Sequence, residues 1–243
     1  MLLLAIETSS RVGSVAISDG SCIIGERSFC HGLQNAAKIL PLIDELCREL
    51  HIGPADLTDI AVSVGPGSFT GLRIGVTLAK TLAFSTGARL IAVPSLPVIA
   101  HNAPSGGHCL MPILDAKRDQ VFSAISRRTG GGLEELAPPQ LVHLPDLLVK
   151  SPRPVMVIGE GVTYHRQHLA GAAQMGNLGS DSENILIAPE DTWYPRAATV
   201  ARLAIELRSR GELADPFTLA PLYIRKPEAQ ERMEAGLLKH LEG

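Results

Sequence analysis

Leu2-Leu-Leu-Ala-Ile6, Val12-Gly-Ser-Val-Ala-Ile-Ser18 and Cys22-Ile-Ile-Gly-Glu-Arg-Ser-Phe29 decide the fold. The first run is short and wholly apolar, as a strand buried on both faces requires. The two longer runs flank Asp19-Gly20, a pair that tolerates the positive φ of a two-residue hairpin turn. Three strands therefore open the chain. A helix is expected over residues 35–50, where Ala36, Ile39, Leu40, Ile43, Leu46, Cys47 and Leu50 recur at helical spacing. Pro41 inside it marks a kink or a first-turn position. A strand over 60–64, a helix over 72–84, a strand over 89–93 and a short helix over 97–101 complete the unit.

The stretch Asn102-Ala-Pro-Ser-Gly-Gly-His108 reads as a boundary, and the same order recurs beyond it. Strands are expected over 110–114, 120–127 and 133–142, a helix over 145–150, a strand over 155–158, a helix over 162–172, a strand over 185–188 and a helix over 196–210. Two ribonuclease-H-like units in tandem are the actin-like (Hsp70/sugar-kinase) ATPase fold, of α/β class. The expected division is a domain over 1–102, a smaller one over 108–226, and a surface helix over 227–243. Residues 177–184 read as a surface loop.

Composition narrows the function. The 243 residues are 45% hydrophobic and 4% aromatic, and the net charge is −3. A protein that grips phosphates by itself normally shows a basic patch, and a single-strand RNA binder shows stacking aromatics. Any contact with nucleic acid is therefore expected to be indirect. No apolar run reaches the length of a membrane helix, and the run at Met1–Ile6 ends at Glu7 without a basic segment before it, so a cytoplasmic protein is expected. Cys22, Cys30, Cys47 and Cys109 lack ligand spacing and read as buried small hydrophobes in a reducing compartment.

Three stretches resemble the TsaB (YeaZ) family, the accessory subunit of bacterial threonylcarbamoyladenosine synthesis. They are Leu4-Ala-Ile-Glu-Thr-Ser-Ser10, Val64-Gly-Pro-Gly-Ser-Phe-Thr-Gly-Leu-Arg-Ile-Gly75 and Pro221-Leu-Tyr-Ile-Arg-Lys-Pro227, with Leu114-Asp-Ala-Lys-Arg118 as a fourth similar segment. The resemblance implies a non-catalytic helper that pairs with a TsaD-type transferase, meets a TsaE-type ATPase, forms a homodimer when alone, and touches tRNA indirectly. It also implies that the first domain carries the pairing surface, on the helices over 35–50 and 72–84. No cofactor of its own is expected, although ATP or ADP could sit at a degenerate site or at the partner interface. The alternatives are an independent actin-fold ATPase or small-molecule kinase, and a metallopeptidase.

In ATP-using members of the superfamily the first hairpin cradles phosphates, which places Glu7, Thr8, Ser9 and Ser10 at that position. Glu in place of the usual Asp moves the carboxylate one methylene outward, against the strict geometry of Mg²⁺. The same hydroxyls would equally serve to satisfy backbone groups at a strand end. Asp115 stands at the second hairpin, where Asp115-Ala-Lys-Arg118 lacks the glycines that supply φ > 0. Gly159-Glu160-Gly161 falls where an adenosine-contacting turn would lie.

Gly65-Pro-Gly-Ser68 is neither a Walker A loop nor a dinucleotide fingerprint, and Ser68 or Thr70 is the natural helix N-cap. Gly71, Gly75, Ala79 and Ala83 then form a ridge of minimal side chains, flanked by Leu78 and Leu82. With Ile39 and Ile43 of the preceding helix, these are the expected partner interface. The eight histidines include no His-x-x-x-His pair, and His165 and His168 read as a solvated helix face, so no metal site and no catalytic residue is expected.

Overall fold

The computed structural model describes residues 1–30, 35–175 and 185–225, so the expected loop over 177–184 and the expected helix over 227–243 lie outside it. β1 (Leu2–Glu7), β2 (Val12–Asp19) and β3 (Cys22–Cys30) are followed by α1 (Asn35–Glu49), β4 (Leu57–Gly65), α2 (Phe69–Thr86), β5 (Arg89–Pro94) and α3 (Ser95–His101). The order then repeats. β6 (Cys109–Asp115), β7 (Gln120–Thr129) and β8 (Gly132–His143) precede α4 (Leu144–Lys150), β9 (Val155–Ile158), α5 (Gly161–Met175), β10 (Ile185–Ile187) and α6 (Ala197–Ser209). The two five-stranded sheets run β3-β2-β1-β4-β5 and β8-β7-β6-β9-β10, so each strand of the second takes its counterpart's place.

The central strand of each sheet explains the apolar runs. β1 pairs antiparallel with β2, Leu4 opposite Ile17, and parallel with β4, Leu4 opposite Ile60. β6 pairs antiparallel with β7, Leu114 opposite Phe122, and parallel with β9, Leu110 opposite Met156. Helices cover both faces of the first sheet, so Leu3, Leu4, Ala5 and Ile6 are all buried and no alternation survives. Some local expectations shift. The β2–β3 turn is Gly20-Ser21, with Asp19 pairing Cys22 and Gly20 at φ +56°, one residue later than the Asp-Gly signal suggested. Pro41 lies inside α1, past its first turn. Cys109 is buried, but Cys47 is half-buried and Cys22 exposed.

The last helix of each copy crosses to the other sheet. Leu96, Ile99 and Ala100 of α3 belong to the core of the second sheet, with Leu110, Ile113 and Ile125. Ala197, Val200, Ala201 and Ala204 of α6 pack instead on Leu3, Ala5, Ala16, Ala61 and Ile91 of the first. Alanines on both sides let helix and sheet approach closely. Polar contacts fasten both ends of α6. The N–H groups of Ala197 and Ala198, which no helical carbonyl can reach, donate to Ser14 Oγ (2.8 Å) and Glu26 Oε1 (3.0 Å) from β2 and β3. The Glu26 carboxylate also meets the positive end of the helix dipole and pairs with Arg196. Near the other end, Arg208 Nε stands 3.0 Å from Oδ1 of the fully buried Asp59, which Arg89 Nε also reaches at 2.9 Å. Asn102, just past α3, accepts from Thr199 Oγ (2.7 Å) and so joins the two exchanged helices.

Asp59 is thus the buried anion on which β4, β5 and α6 converge. Asp59→Asn keeps the shape and removes the charge, leaving two half-exposed guanidinium groups uncompensated. Breaking a buried pair costs about 3–5 kcal/mol, and solvent access to the arginines places this case near about 3 kcal/mol. The urea midpoint should fall accordingly at unchanged slope.

Candidate functional site

The first hairpin leaves β1 at Glu7 and is folded inward. Ser9 gives both its N–H (2.5 Å) and its hydroxyl (2.6 Å) to Glu7 Oε1, and Ser10 Oγ donates to the Val12 carbonyl (3.1 Å). Thr8 and Ser9 have no exposed surface, and Ser10 has 1%. What covers them is the start of α2. The Ser68 N–H donates to the Ser9 carbonyl at 2.7 Å, and Ser68 Oγ caps the helix by accepting from the Gly71 N–H at 3.3 Å. A β-carbon at Gly67 would collide with the Ser9 carbonyl oxygen, one at Gly71 with the Thr8 carbonyl oxygen, and one at Gly75 with Thr8 Oγ.

The small-residue ridge therefore packs inward on its own chain, Gly71 against the Thr8 backbone and Gly75 against the Thr8 side chain. Gly71, Gly75, Ala79 and Ala83 are all buried, with Ala79 at 0% exposure, and Ile39 and Ile43 lie in the same core. The expectation that these six face a partner is corrected: an i, i+4 row of minimal side chains marks close approach, and here the close neighbour is β1 and its turn. Leu78 and Leu82, half-buried at the rim of that core, remain at the surface.

The third motif joins the other two. Leu222 donates its N–H to the Val64 carbonyl (2.7 Å), and its own carbonyl oxygen leaves no room for a side chain at Gly65. Tyr223 stacks near Phe69, with ring centroids 5.1 Å apart, and its hydroxyl accepts from Arg73 Nε (3.0 Å). Lys80 Nζ donates to the Leu219 carbonyl (2.8 Å). The strap continues to Arg225, whose guanidinium reaches the Ala116 carbonyl and the Gln120 amide oxygen at the second hairpin.

That second hairpin is built differently from the sequence expectation. Lys117, Arg118 and Asp119 all adopt left-handed φ, at +62°, +54° and +59°, without a glycine. Asp115 helps to hold the turn, accepting from the Lys117 N–H (3.1 Å) and from Lys117 Nζ (2.7 Å). The two hairpin regions are linked, since Arg11 gives its N–H to Glu160 Oε2 (3.1 Å) and its guanidinium to the Tyr164 hydroxyl (3.0 Å). Gly159 and Gly161 press against the Ile113 carbonyl oxygen, so their smallness serves the packing of α5 on β6. Glu7, Thr8 and Ser9 thus sit together behind α2, and Asp115 is spent on its own turn. The glycine edge of α2 fills the space in front of the first hairpin; the Ser9 and Ser10 hydroxyls are bonded within the hairpin, while Thr8 Oγ and Glu7 Oε2 are buried without a hydrogen-bond partner.

One group went unread in the sequence. His165, expected on a solvated face, is 3% exposed at a kink in α5 (φ −115°, ψ 20°). It lies with His168 and with Asp119 from the second hairpin.

Two sheets of one strand order, exchanged terminal helices and paired hairpins define an actin-like protein of two ribonuclease-H-like units. The chain matches the family model described as "TsaD: tRNA N6-adenosine threonylcarbamoyltransferase" over residues 34–232. It is 33% identical to the tRNA threonylcarbamoyladenosine biosynthesis protein TsaB of Bacillus subtilis, covering 96% of this chain and 97% of that one. For the Escherichia coli TsaB the identity is 25%, covering 96% and 98%. The structure of YeaZ from Pseudomonas aeruginosa has the same fold, with a TM-score of 0.75 at 22% identity, covering 91% of this chain and 99% of that one. The chain belongs to the TsaB family.

Two outcomes test the closed hairpin. Gly71→Ala should cost about 3 kcal/mol or more by overpacking against the Thr8 backbone, read as a lower melting temperature. Burial raises the Glu7 carboxyl above its ordinary value of 4.5, against the pull of its Ser9 hydrogen bonds. A raised carboxyl contributes stability below its unfolded value and loses it as pH rises through the folded one. Glu7→Gln should therefore melt above the parent near about pH 8, with the gap closing as pH falls toward about 4.

Proposed function

We propose that this chain is a non-catalytic accessory subunit of tRNA N6-threonylcarbamoyladenosine synthesis, and that it acts by pairing with a TsaD-type transferase to support modification of the adenosine beside the anticodon. The observation that carries the reading is the closed first hairpin. The fold keeps the topology of a phosphate-handling protein while the Thr8–Ser10 hydroxyls and the Glu7 carboxyl are turned into its interior. A fold maintained without an open cradle has its surface left to act with. Any nucleotide is accordingly held by the transferase or at the shared interface, and a TsaE-type ATPase is the further partner. In the absence of the transferase the chain pairs with itself. Contact with tRNA is indirect, consistent with a net charge of −3. Among the described residues no helix is long and apolar enough to cross a membrane.

The pairing surface we infer is the outer flank of α1 and α2. Leu78 and Leu82 rim it, Leu40 is 51% exposed and Phe84 71% exposed, the last meeting Phe217 edge-on at 5.8 Å. Leu40 and Phe84 are exposed in the single chain, while Leu78 and Leu82 are half-buried against the core, so a melting curve accompanies the binding measurement. Leu78→Glu and Phe84→Glu should keep the parent's circular dichroism and melting curve while losing on the order of a hundredfold in affinity for the transferase on a sizing column, since an unpaired charge would be buried there. A folded double variant that pairs as the parent does and still supports tRNA modification would move the interface elsewhere. The purified chain alone should show no steady ATP hydrolysis. Hydrolysis that disappears in Asp115→Asn would favour the kinase-like alternative.

A further inference from the structure

We propose that Asp119, His165 and His168 form a binding site for one divalent transition metal of the zinc class. The three come from two elements: Asp119 from the left-handed turn between β6 and β7, and the histidines from the first turns of α5. Their donor atoms lie within 4.8 Å of one another. His168 Nε2 is 2.8 Å from Asp119 Oδ1, and His165 Nδ1 is 3.8 Å from that same oxygen. Ligand atoms around a tetrahedral zinc with bonds of about 2.0–2.1 Å stand roughly 3.3 Å apart, so the observed pair straddles the value that coordination requires. Two imidazole nitrogens and one carboxylate suit zinc and its neighbours and suit magnesium or calcium poorly.

The independent observation is the state of His165. Its ring is 3% exposed, and neither ring nitrogen has a hydrogen-bond partner. One of the two must carry a proton, so the fold holds an unpaired buried donor, which is uncommon and costly. A metal on Nδ1 removes one of these orphans. The other nitrogen, Nε2, already faces Asp115 Oδ1 at 3.6 Å. A metal-bound histidine commonly directs its far N–H at a carboxylate, and Asp115 stands on that side just beyond hydrogen-bond distance. Asp115 Oδ1 also accepts from the Lys117 N–H at 3.1 Å, and a carboxylate oxygen has a second lone pair for another donor.

The kink at His165 has a role on this reading. An unbroken helix would carry residues three apart at a fixed offset, whereas the local bend leaves the two rings stacked 5.9 Å between centroids, both toward Asp119. Asp119 is exposed and His168 about one-third exposed, so the metal would have a coordination position open to water or to a ligand from another molecule. Spacing along one helix does not reveal such a site, because the third ligand comes from a hairpin in front of it.

The test uses the full chain, stripped with a chelator and titrated with Zn²⁺ by calorimetry against a competing chelator, with Co²⁺ as a spectroscopic probe. We expect one equivalent of Zn²⁺, visible Co²⁺ bands of a four-coordinate site, and a melting temperature that rises with Zn²⁺. His168→Gln and Asp119→Asn alter accessible side chains and should stay folded, each weakening Zn²⁺ by at least about tenfold and losing the Co²⁺ bands. His165→Leu removes both ring nitrogens at a similar buried volume and should also abolish binding. Absence of stoichiometric Zn²⁺ in the parent overturns the proposal. So does binding that survives unchanged in the Asp119→Asn/His168→Gln double variant, which would place the metal on other residues.

Discussion

The backbone of Thr8 and Ser9 lies directly under the first two turns of α2, with no space for a β-carbon at Gly67, Gly71 or Gly75. This contact requires the Gly-Pro-Gly-Ser turn to deliver the helix at close range, and the Ser68 N–H to complete it on the Ser9 carbonyl. It also sets the position of the strap, since Leu222 pairs with Val64 just before that turn. The site's chemistry follows from the same constraint. The Ser9 and Ser10 hydroxyls are used as internal hydrogen-bond donors, and a carboxylate is stored in the core, where burial penalises its ionised form.

The two hairpins reach closure by opposite means. The first buries small polar residues behind a helix. The second stays at the surface and tolerates three successive left-handed residues, held by Asp115 and by the strap through Arg225. Arg11 then connects the first to Glu160 and Tyr164 beside the second. A ligand can shift a conformational equilibrium only by its differential affinity for the two states. Two hairpin regions already joined by Arg11 offer little such difference.

Much of the architecture was legible. Buried strands announced themselves as unbroken apolar runs, helices as three- and four-residue spacing, and Ser68 as a cap residue ahead of its helix. The order of elements in the second unit could be read because it repeats the first. What could not be read was the identity of neighbours. The spacing of Gly71, Gly75, Ala79 and Ala83 specifies a face that something approaches closely, yet carries no information on whether that is another chain or β1. The glycine-free second hairpin was misread because short-range turns can be held left-handed by a side chain such as Asp115, at a strain that sequence statistics treat as improbable. His165 and His168 were visible as a pair, but the kink that buries one of them, and the aspartate 46 positions before it, belong to tertiary structure.

The exchange of α3 and α6 has a consequence for how the molecule is made. During synthesis the five strands of the first sheet are complete once Pro94 has emerged, but the face formed by Leu3, Ala5, Ala16, Ala61 and Ile91 stays uncovered until α6 arrives more than a hundred residues later. The nascent amino-terminal half must therefore wait, with an apolar sheet face open to the surroundings, while the ribosome completes the second sheet. Neither half can be released as a finished piece, because each lacks the helix that the other end of the chain supplies.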